Sequence, residues 1–449
     1  MLLDASQILT LAPDAASAKA GSQLASARSW SNLGRSDAAL WGECQGSGKT
    51  PYRTQIDLAG PAFKCSCPSR KFPCKHGLGL YLLLAGDAAL FPADAPPAWV
   101  ADWLQGRQER QEKKTEKAAA APEVTEEARA AAVVQARKRE DKREAKVGAG
   151  VLELQTWLDD LAREGLAGVR SRGQGFWETI AARMADAQAA PLARRLQRAA
   201  GLLYQSALPD AESMVASELA SMYLLARAWA RIDALPAPLQ ADVRALLGWT
   251  VAQEDVLCEP AVADRWRVLA QSTFDDDRVK ARATWLHGAA SGRWALLLHY
   301  AVGNGGFQQQ IAPATAFDGE LCFYPGAWPL RALVKTQGDP APLREIPAPI
   351  DLDTVLDTHA RALAAQPFLE RQPVLLGGLA PDANARHVVR EPQGRRILLH
   401  PSFRHWPHLL ALSGGHPLAV CGEWDGRTLM PLSVWSDGRL VNLDSDLAT

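Results

Sequence analysis

Cysteine is scarce in this chain: seven in 449 residues, far too few to staple a disulfide scaffold. A surplus of one charge sign is also lacking. The 49 Lys and Arg against 50 Asp and Glu leave a formal net charge of -1, which excludes a protein that coats nucleic acid by bulk charge. No apolar run approaches the roughly 18 residues that a membrane helix needs. The longest, Leu78 to Leu84, would cross less than half a bilayer. The opening Met1-Leu-Leu-Asp-Ala has neither the basic start nor the long apolar stretch of a secretion signal. These absences predict a chain in a reducing, cytoplasmic compartment without membrane contact, where neighbouring cysteines read as metal ligands before disulfides.

What is present is ordinary in bulk. A hydrophobic share of 47% and a charged share of 22% match folded globular usage. The length suits several domains at roughly 100–200 residues each. The pattern along the chain predicts an α+β multidomain fold: a small ββα module, a central α-helical region and a C-terminal β-rich domain. Residues 1–37 read as a segment of short polar helices. Residues 38–90 begin with two strand-like runs, Ala38 to Cys44 and Tyr52 to Leu58, joined as a hairpin. A short apolar helix, Leu78 to Leu84, closes at Gly86.

Residues 104–148 contain mixed-sign runs such as Arg137-Lys-Arg-Glu-Asp-Lys-Arg-Glu, and no aromatic lies between Trp103 and Trp157. They read as a charged linker or solvated helix. Over 149–284 apolar residues recur at helical spacing, as in Val151, Leu152, Leu154, Trp157, Leu158 and Leu161. Over 285–449 strand-like runs dominate, with Asp425-Gly and Asp437-Gly as hairpin turns and helices near Asp351–Ala365 and Arg404–Leu412.

The cysteines are unevenly placed. Cys44, Cys65, Cys67 and Cys74 fall close together, whereas Cys258, Cys322 and Cys421 are scattered. The cluster reads Cys65-Ser-Cys67-Pro-Ser-Arg-Lys-Phe-Pro-Cys74-Lys-His76. In extended backbone, residues two apart point the same way, so Cys65 and Cys67 project together. Cys74 and His76 do the same at the far end of a loop stiffened by Pro68 and Pro73. Three thiolates and one imidazole make a tetrahedral donor set for one structural Zn²⁺, with no position left for a catalytic water. Cys44 reads as a small packed strand residue rather than a fifth ligand.

Cys65-x-Cys67, six residues, then Cys74-x-His76 resembles the SWIM zinc finger, as does the preceding Trp41-Gly-Glu-Cys-Gln-Gly-Ser-Gly, which resembles bacterial members. The resemblance covers about residues 38–90. It implies a ββα unit whose helix begins near His76, with Cys65, Cys67, Cys74 and His76 as ligands. For that family, contact with DNA and contact with protein are both proposed.

Other local patterns carry no site. Gly46-Ser-Gly-Lys-Thr50 lacks the first glycine of a phosphate loop, because position 43 is Glu, and a strand follows in place of a helix. His400, His405, His408 and His416 form no compact ligand pattern, and Asp275-Asp-Asp277 reads as a helix start. No catalytic motif stands out, so a non-enzymatic protein is expected, with no small-molecule cofactor.

Between Cys44 and Leu80 the charges are Lys49, Arg53, Lys64, Arg70, Lys71 and Lys75 against Asp57 alone, a local net of +5. Lys64, Arg70, Lys71 and Lys75 are therefore the candidate nucleic-acid contacts. The sequence predicts a zinc-stabilised module that binds DNA, RNA or another protein. A protein–protein adaptor in a larger complex, touching no nucleic acid, is the alternative.

Overall fold

The computed structural model describes residues 3, 5–13, 15–45, 50–58, 62–69, 71–119, 126–205, 211–276, 279–302, 307 and 311–443. The phosphate-loop-like Gly46–Lys49, the candidate contact Arg70, and Asp277 lie outside them.

The N-terminal unit starts with helices α1 (Ala5–Thr10) and α2 (Ala15–Leu24). A four-stranded antiparallel sheet follows in sequence order: β1 (Trp30–Arg35), β2 (Ala39–Cys44), β3 (Tyr52–Asp57) and β4 (Ala62–Cys65). Helix α3 (Lys75–Gly86) completes it. The two expected strands are present, but the sheet is twice as large. Residues 30–35, expected within a helical segment, instead form its edge strand.

Helix α3 is buried from His76 to Leu84, apolar on every side. Such a helix needs cover on every face. It is enclosed by β2, β3 and β4 on one side and by α1 and α2 on the other. Leu40, Ile56 and Phe63 from the sheet join Leu78, Leu80 and Leu84 from the helix in one core with Ile8 and Leu11. The opening helices are therefore core-bearing, although their composition reads as polar. Approach of α2 to α3 is close enough to need glycine. A Cβ on Gly79 would stand 2.7 Å from Leu24 Cβ and 3.1 Å from the Gly21 carbonyl oxygen.

Helices α4 (Ala98–Ala119) and α5 (Glu126–Glu164) occupy most of the expected linker. Both helices run past the ends of that stretch, α4 starting before 104 and α5 continuing beyond 148. The start of α4 belongs to the N-terminal unit: Val100 packs on Ala39 and Trp41, covering the sheet face opposite α3. Helix α5 runs without a break into the bundle formed with α6 (Gln174–Asp186), α7 (Ala190–Gln205), α8 (Ala211–Trp229) and α9 (Ala237–Leu247). Val147, Val151, Leu154, Leu158 and Leu161 of α5 enter a core with Trp177, Leu196, Met222 and Leu225. Within the charged stretch, Arg143 donates to the Gly248 carbonyl at 2.7 Å, and Glu144 pairs with Arg244 at 3.1 Å. The charges there are partly interior ties of the bundle.

After α10 (Gln253–Cys258) the chain is β-rich from Val262, not from 285. Strands β5 (Val262–Asp276), β6 (Val279–Gly288), β7 (Trp294–Val302), β8 (Thr315–Phe323), β9 (Ala332–Gln337) and β10 (Ala341–Pro342) form one sheet. The acidic run read as a helix start instead contributes Asp275 and Asp276 to the end of β5. Helix α11 (Leu352–Ala365) leads to a second sheet. It comprises β11 (Gln372–Pro381), β12 (Val388–Arg390), β13 (Arg396–Leu399), β14 (Leu418–Trp424), β15 (Thr428–Ser436) and β16 (Arg439–Asn442), with α12 (Trp406–Ser413) between β13 and β14. Asp425-Gly and Asp437-Gly lie at the β14–β15 and β15–β16 turns, as expected. No described helix is long and apolar enough to cross a membrane.

The Gly79 contact gives a direct check. Gly79→Val should force α2 and α3 apart and destabilise the N-terminal unit by about 1–3 kcal/mol. Hydrogen exchange should register faster exchange of α3 amides, with those of α8 unchanged.

Candidate metal centre

The ligand loop is anchored at both ends by regular structure. On its near side, Cys65 is the last residue of β4 and pairs with Thr54 of β3. The pairing continues one residue further: the Ser66 N–H donates to the Arg53 carbonyl, and Ser66 Oγ accepts from the Arg53 N–H, both at 3.0 Å. On its far side, Cys74 caps α3 and its carbonyl accepts from the Leu78 N–H at 3.1 Å. His76 sits in the first turn. A strand end and a helix start thus deliver two ligands each to one point.

Cys65, Cys67, Cys74 and His76 bring one ligand atom each to within 4.8 Å of all the others. Cys65 Sγ lies 3.7 Å from His76 Nδ1, and Cys74 Sγ lies 3.9 Å from it. A zinc tetrahedron with the usual Zn–S and Zn–N bonds has edges of about 3.6–3.8 Å. The residues therefore fit one Zn²⁺ ion with His76 bound through Nδ1. Cys74 and His76 are buried and Cys65 and Cys67 are half-buried, so the metal would be shielded but close to the surface.

The surroundings suit thiolates. The backbone N–H groups of Cys67, Ser69 and Gly77 reach Cys65, Cys67 and Cys74 respectively. Thr54 Oγ1 lies 3.2 Å from Cys65 Sγ. Donors of this kind spread the excess negative charge of three thiolates around a dication and orient the sulfurs. Hydrogen bonding from Cys74, aided by His76 and Thr54 and opposed by burial, holds the Cys65 thiol well below the ordinary thiol range. One site is thus already disposed to lose its proton, as metal binding requires.

Aromatic packing fixes the imidazole and the loop. Tyr52 leans on the His76 ring at 5.0 Å between centroids. Phe63 meets Phe72 of the loop and Tyr81 of α3 edge-on, each at 6.2 Å. A Cβ on Gly77 would approach Phe63 Cδ1 to 2.9 Å, so this glycine lets the helix start lie against the sheet.

Cys44 is close by but is not part of the cluster. It is fully buried in β2, packed in the core with Ile56 and Phe63, and burial pushes its thiol up. Among the described residues no second group of His, Cys, Asp or Glu forms a metal cluster. His400 Nδ1 is engaged at 2.7 Å by Ser402 Oγ.

The basic candidates divide. Lys71 and Lys75 are exposed and line one cleft beside Cys67 and His76. Lys64 is exposed on the other face of the sheet, because it pairs with Gln55 and thus shares the side of Trp41 covered by α4. Arg53 is committed to structure, paired with Glu43 at 3.2 Å and set over Trp99. The sequence signal did not separate these roles, because strand register decides which face a lysine occupies.

Replacing a ligand should empty the site. Cys67→Ala is expected to cut bound zinc from one ion per chain to a small fraction, measured by metal analysis after desalting. Chelation of the unaltered protein should accelerate amide exchange in β4 and α3 while leaving the bundle protected, because the ion's binding energy is folding energy for this unit.

The geometry agrees with what the chain is similar to. The SWIM zinc finger model matches residues 52–85, from β3 through nearly all of α3. The model for a SWIM-associated four-helix bundle domain matches residues 142–247, from near the middle of α5 to the end of α9. Neither a curated protein nor a solved structure matches the chain. The chain therefore carries a SWIM zinc finger followed by the four-helix bundle domain associated with such fingers.

Proposed function

We propose that the finger is a non-catalytic, zinc-stabilised module that grips the phosphate backbone of a nucleic acid. The observation that carries this reading is the cleft between α2 and the ligand loop. It has a volume of about 560 Å³ and is lined by Ser17, Tyr52, Ser69, Lys71 and Lys75 beside the metal ligands Cys67 and His76. Among the described residues no acidic side chain lines it. Two exposed ammonium groups with nearby hydroxyls suit phosphate oxygens, and the Tyr52 ring offers a surface for a sugar or base.

The metal's part is to hold the cleft in shape. All four coordination positions are protein side chains, so the ion would have no open position at which to activate a water. Its role is to fix the loop that carries Lys71 against the helix that begins with Lys75.

A second reading, a protein adaptor, has its own support. Leu152 of α5 and Leu224 of α8 are 65% and 47% exposed on packed neighbouring helices of the bundle. Apolar side chains so displayed suit a protein partner. The two readings part under nuclease. A partner that co-purifies after nuclease treatment supports the adaptor, whereas one lost with the nucleic acid supports the grip.

Fluorescence anisotropy with labelled single-stranded and duplex oligonucleotides tests the proposal directly. Affinity should fall steeply with salt, as counterions are released from the phosphates. Lys71→Gln and Lys75→Gln should each flatten the plot of log affinity against log salt by about 1, with zinc content unchanged. Lys64→Gln, on the other face, should leave the slope alone. Salt-independent binding, or slopes unmoved by both cleft substitutions, would refute the grip.

A further inference from the structure

The two C-terminal sheets meet along an apolar seam. Leu269, Ala270 and Trp285 of the first pack on Leu375, Cys421 and Leu432 of the second. Polar ties cross it: Trp285 Nε1 donates to Glu423 at 2.9 Å, and the side-chain amide of Asn442 donates to the Gln271 carbonyl at 2.8 Å. Beside this seam lies a cavity of about 460 Å³ between the sheets and α11. Its size falls within the range of small-molecule sites, which favour such junctions.

The walls are mostly apolar. Trp294 and Trp328 supply flat aromatic surface, while Val355 and Leu375 close the interior. The ionisable side chains of this lining among the described residues are Arg293 and His287, beside the neutral polar Gln372, Thr354 and Thr358. Arg293 stacks its guanidinium over Phe323 at 3.9 Å and makes no ion pair among the described residues. His287 meets Trp294 edge-on at 5.1 Å, and its Nδ1 is buried without a hydrogen-bond partner. Among the described residues no Asp or Glu lines the cavity.

This combination selects for charge and shape. A cation beside an apolar cavity with no carboxylate of its own is complemented by an anionic ligand. Burial, reinforced by the nearby Arg267, pushes the His287 imidazole down to about 4, so at neutral pH it is an uncharged hydrogen-bonding group. One positive charge thus faces the cavity through Arg293, which suits a single carboxylate. The tryptophans suit a flat apolar body.

We propose that this inter-sheet cavity binds a small organic monocarboxylate with a flat apolar body, its carboxylate on Arg293 and its ring between Trp294 and Trp328. The site is separate from the metal centre and independent of how the finger functions.

Naphthoate and its uncharged amide, naphthamide, are matched probes. Isothermal titration of the full chain should show saturable binding of naphthoate, at least tenfold tighter than that of naphthamide. Arg293→Gln should remove that preference by weakening the acid alone. Thr358→Trp, a change at the half-buried rim, should block both probes by filling space. The comparison of acid with amide on the unaltered protein needs no variant to fold. Equal affinities, or saturable binding of neither probe, would overturn the proposal, as would full retention of the acid preference in Arg293→Gln.

Discussion

The convergence of the end of β4 and the first turn of α3 on one point is the constraint around which the N-terminal unit is arranged. The end of β4 places Cys65, the bend just after it places Cys67, and the helix start carries Cys74 and His76 to meet them. Each thiolate also receives a backbone N–H from the loop or helix start. The ligand geometry is therefore inseparable from the secondary structure that frames it. Loss of the metal leaves three sulfurs close together in a partly buried pocket, where burial pushes the Cys67 thiol up, and the neighbouring Cys65 together with burial pushes the Cys74 thiol up. What the ion stabilises is the crossing of helix and sheet as well as the loop.

That crossing is also supported from outside. A short sheet and one helix bury little apolar surface alone. Here α1 and α2 cover the free side of α3, and α4 covers the second face of the sheet. Gln7 of α1 donates to the Ala314 carbonyl at 2.9 Å, so the N-terminal unit also touches the β-rich part of the chain. The finger is thus embedded in neighbouring structure, and its exposed chemistry is limited to what the loop and the start of α3 present. Overall neutrality conceals this. The local positive charge divides into lysines that share a cleft, one lysine on the opposite sheet face, and an arginine spent on Glu43 and Trp99.

Much of the metal centre was legible because its signal is local. Four ligands within 12 residues, three cysteines and a histidine with alternate residues paired at both ends, need no distant contact to be recognised. The bundle helices were legible for a similar reason, since a 3.6-residue apolar period reports a buried stripe directly. Legibility failed where the pattern was mixed. Val262 to Asp276 alternates around Trp266 and Val268, but an irregularity between Val268 and Ala270 puts Leu269 into the interior as well, blurring the period of two. The charged stretch misled for another reason. Its Arg143 and Glu144 are partners of Gly248, Trp249 and Arg244 about a hundred residues away, which no local window can register.

By itself the sequence determined the four candidate ligands, the metal chemistry their donor types suit, the helical and β-rich segments, and the turns at Asp425-Gly and Asp437-Gly. Those properties depend on residues near one another in the chain, where spacing translates directly into direction. Only the tertiary structure decided that α1 and α2 complete the finger's core, which lysines share the cleft, and that Arg293 and His287 face a cavity with Trp294, Trp328 and α11. Each of these depends on strand register or on packing between distant segments. A one-residue change of register would carry a side chain to the opposite face without altering local composition at all.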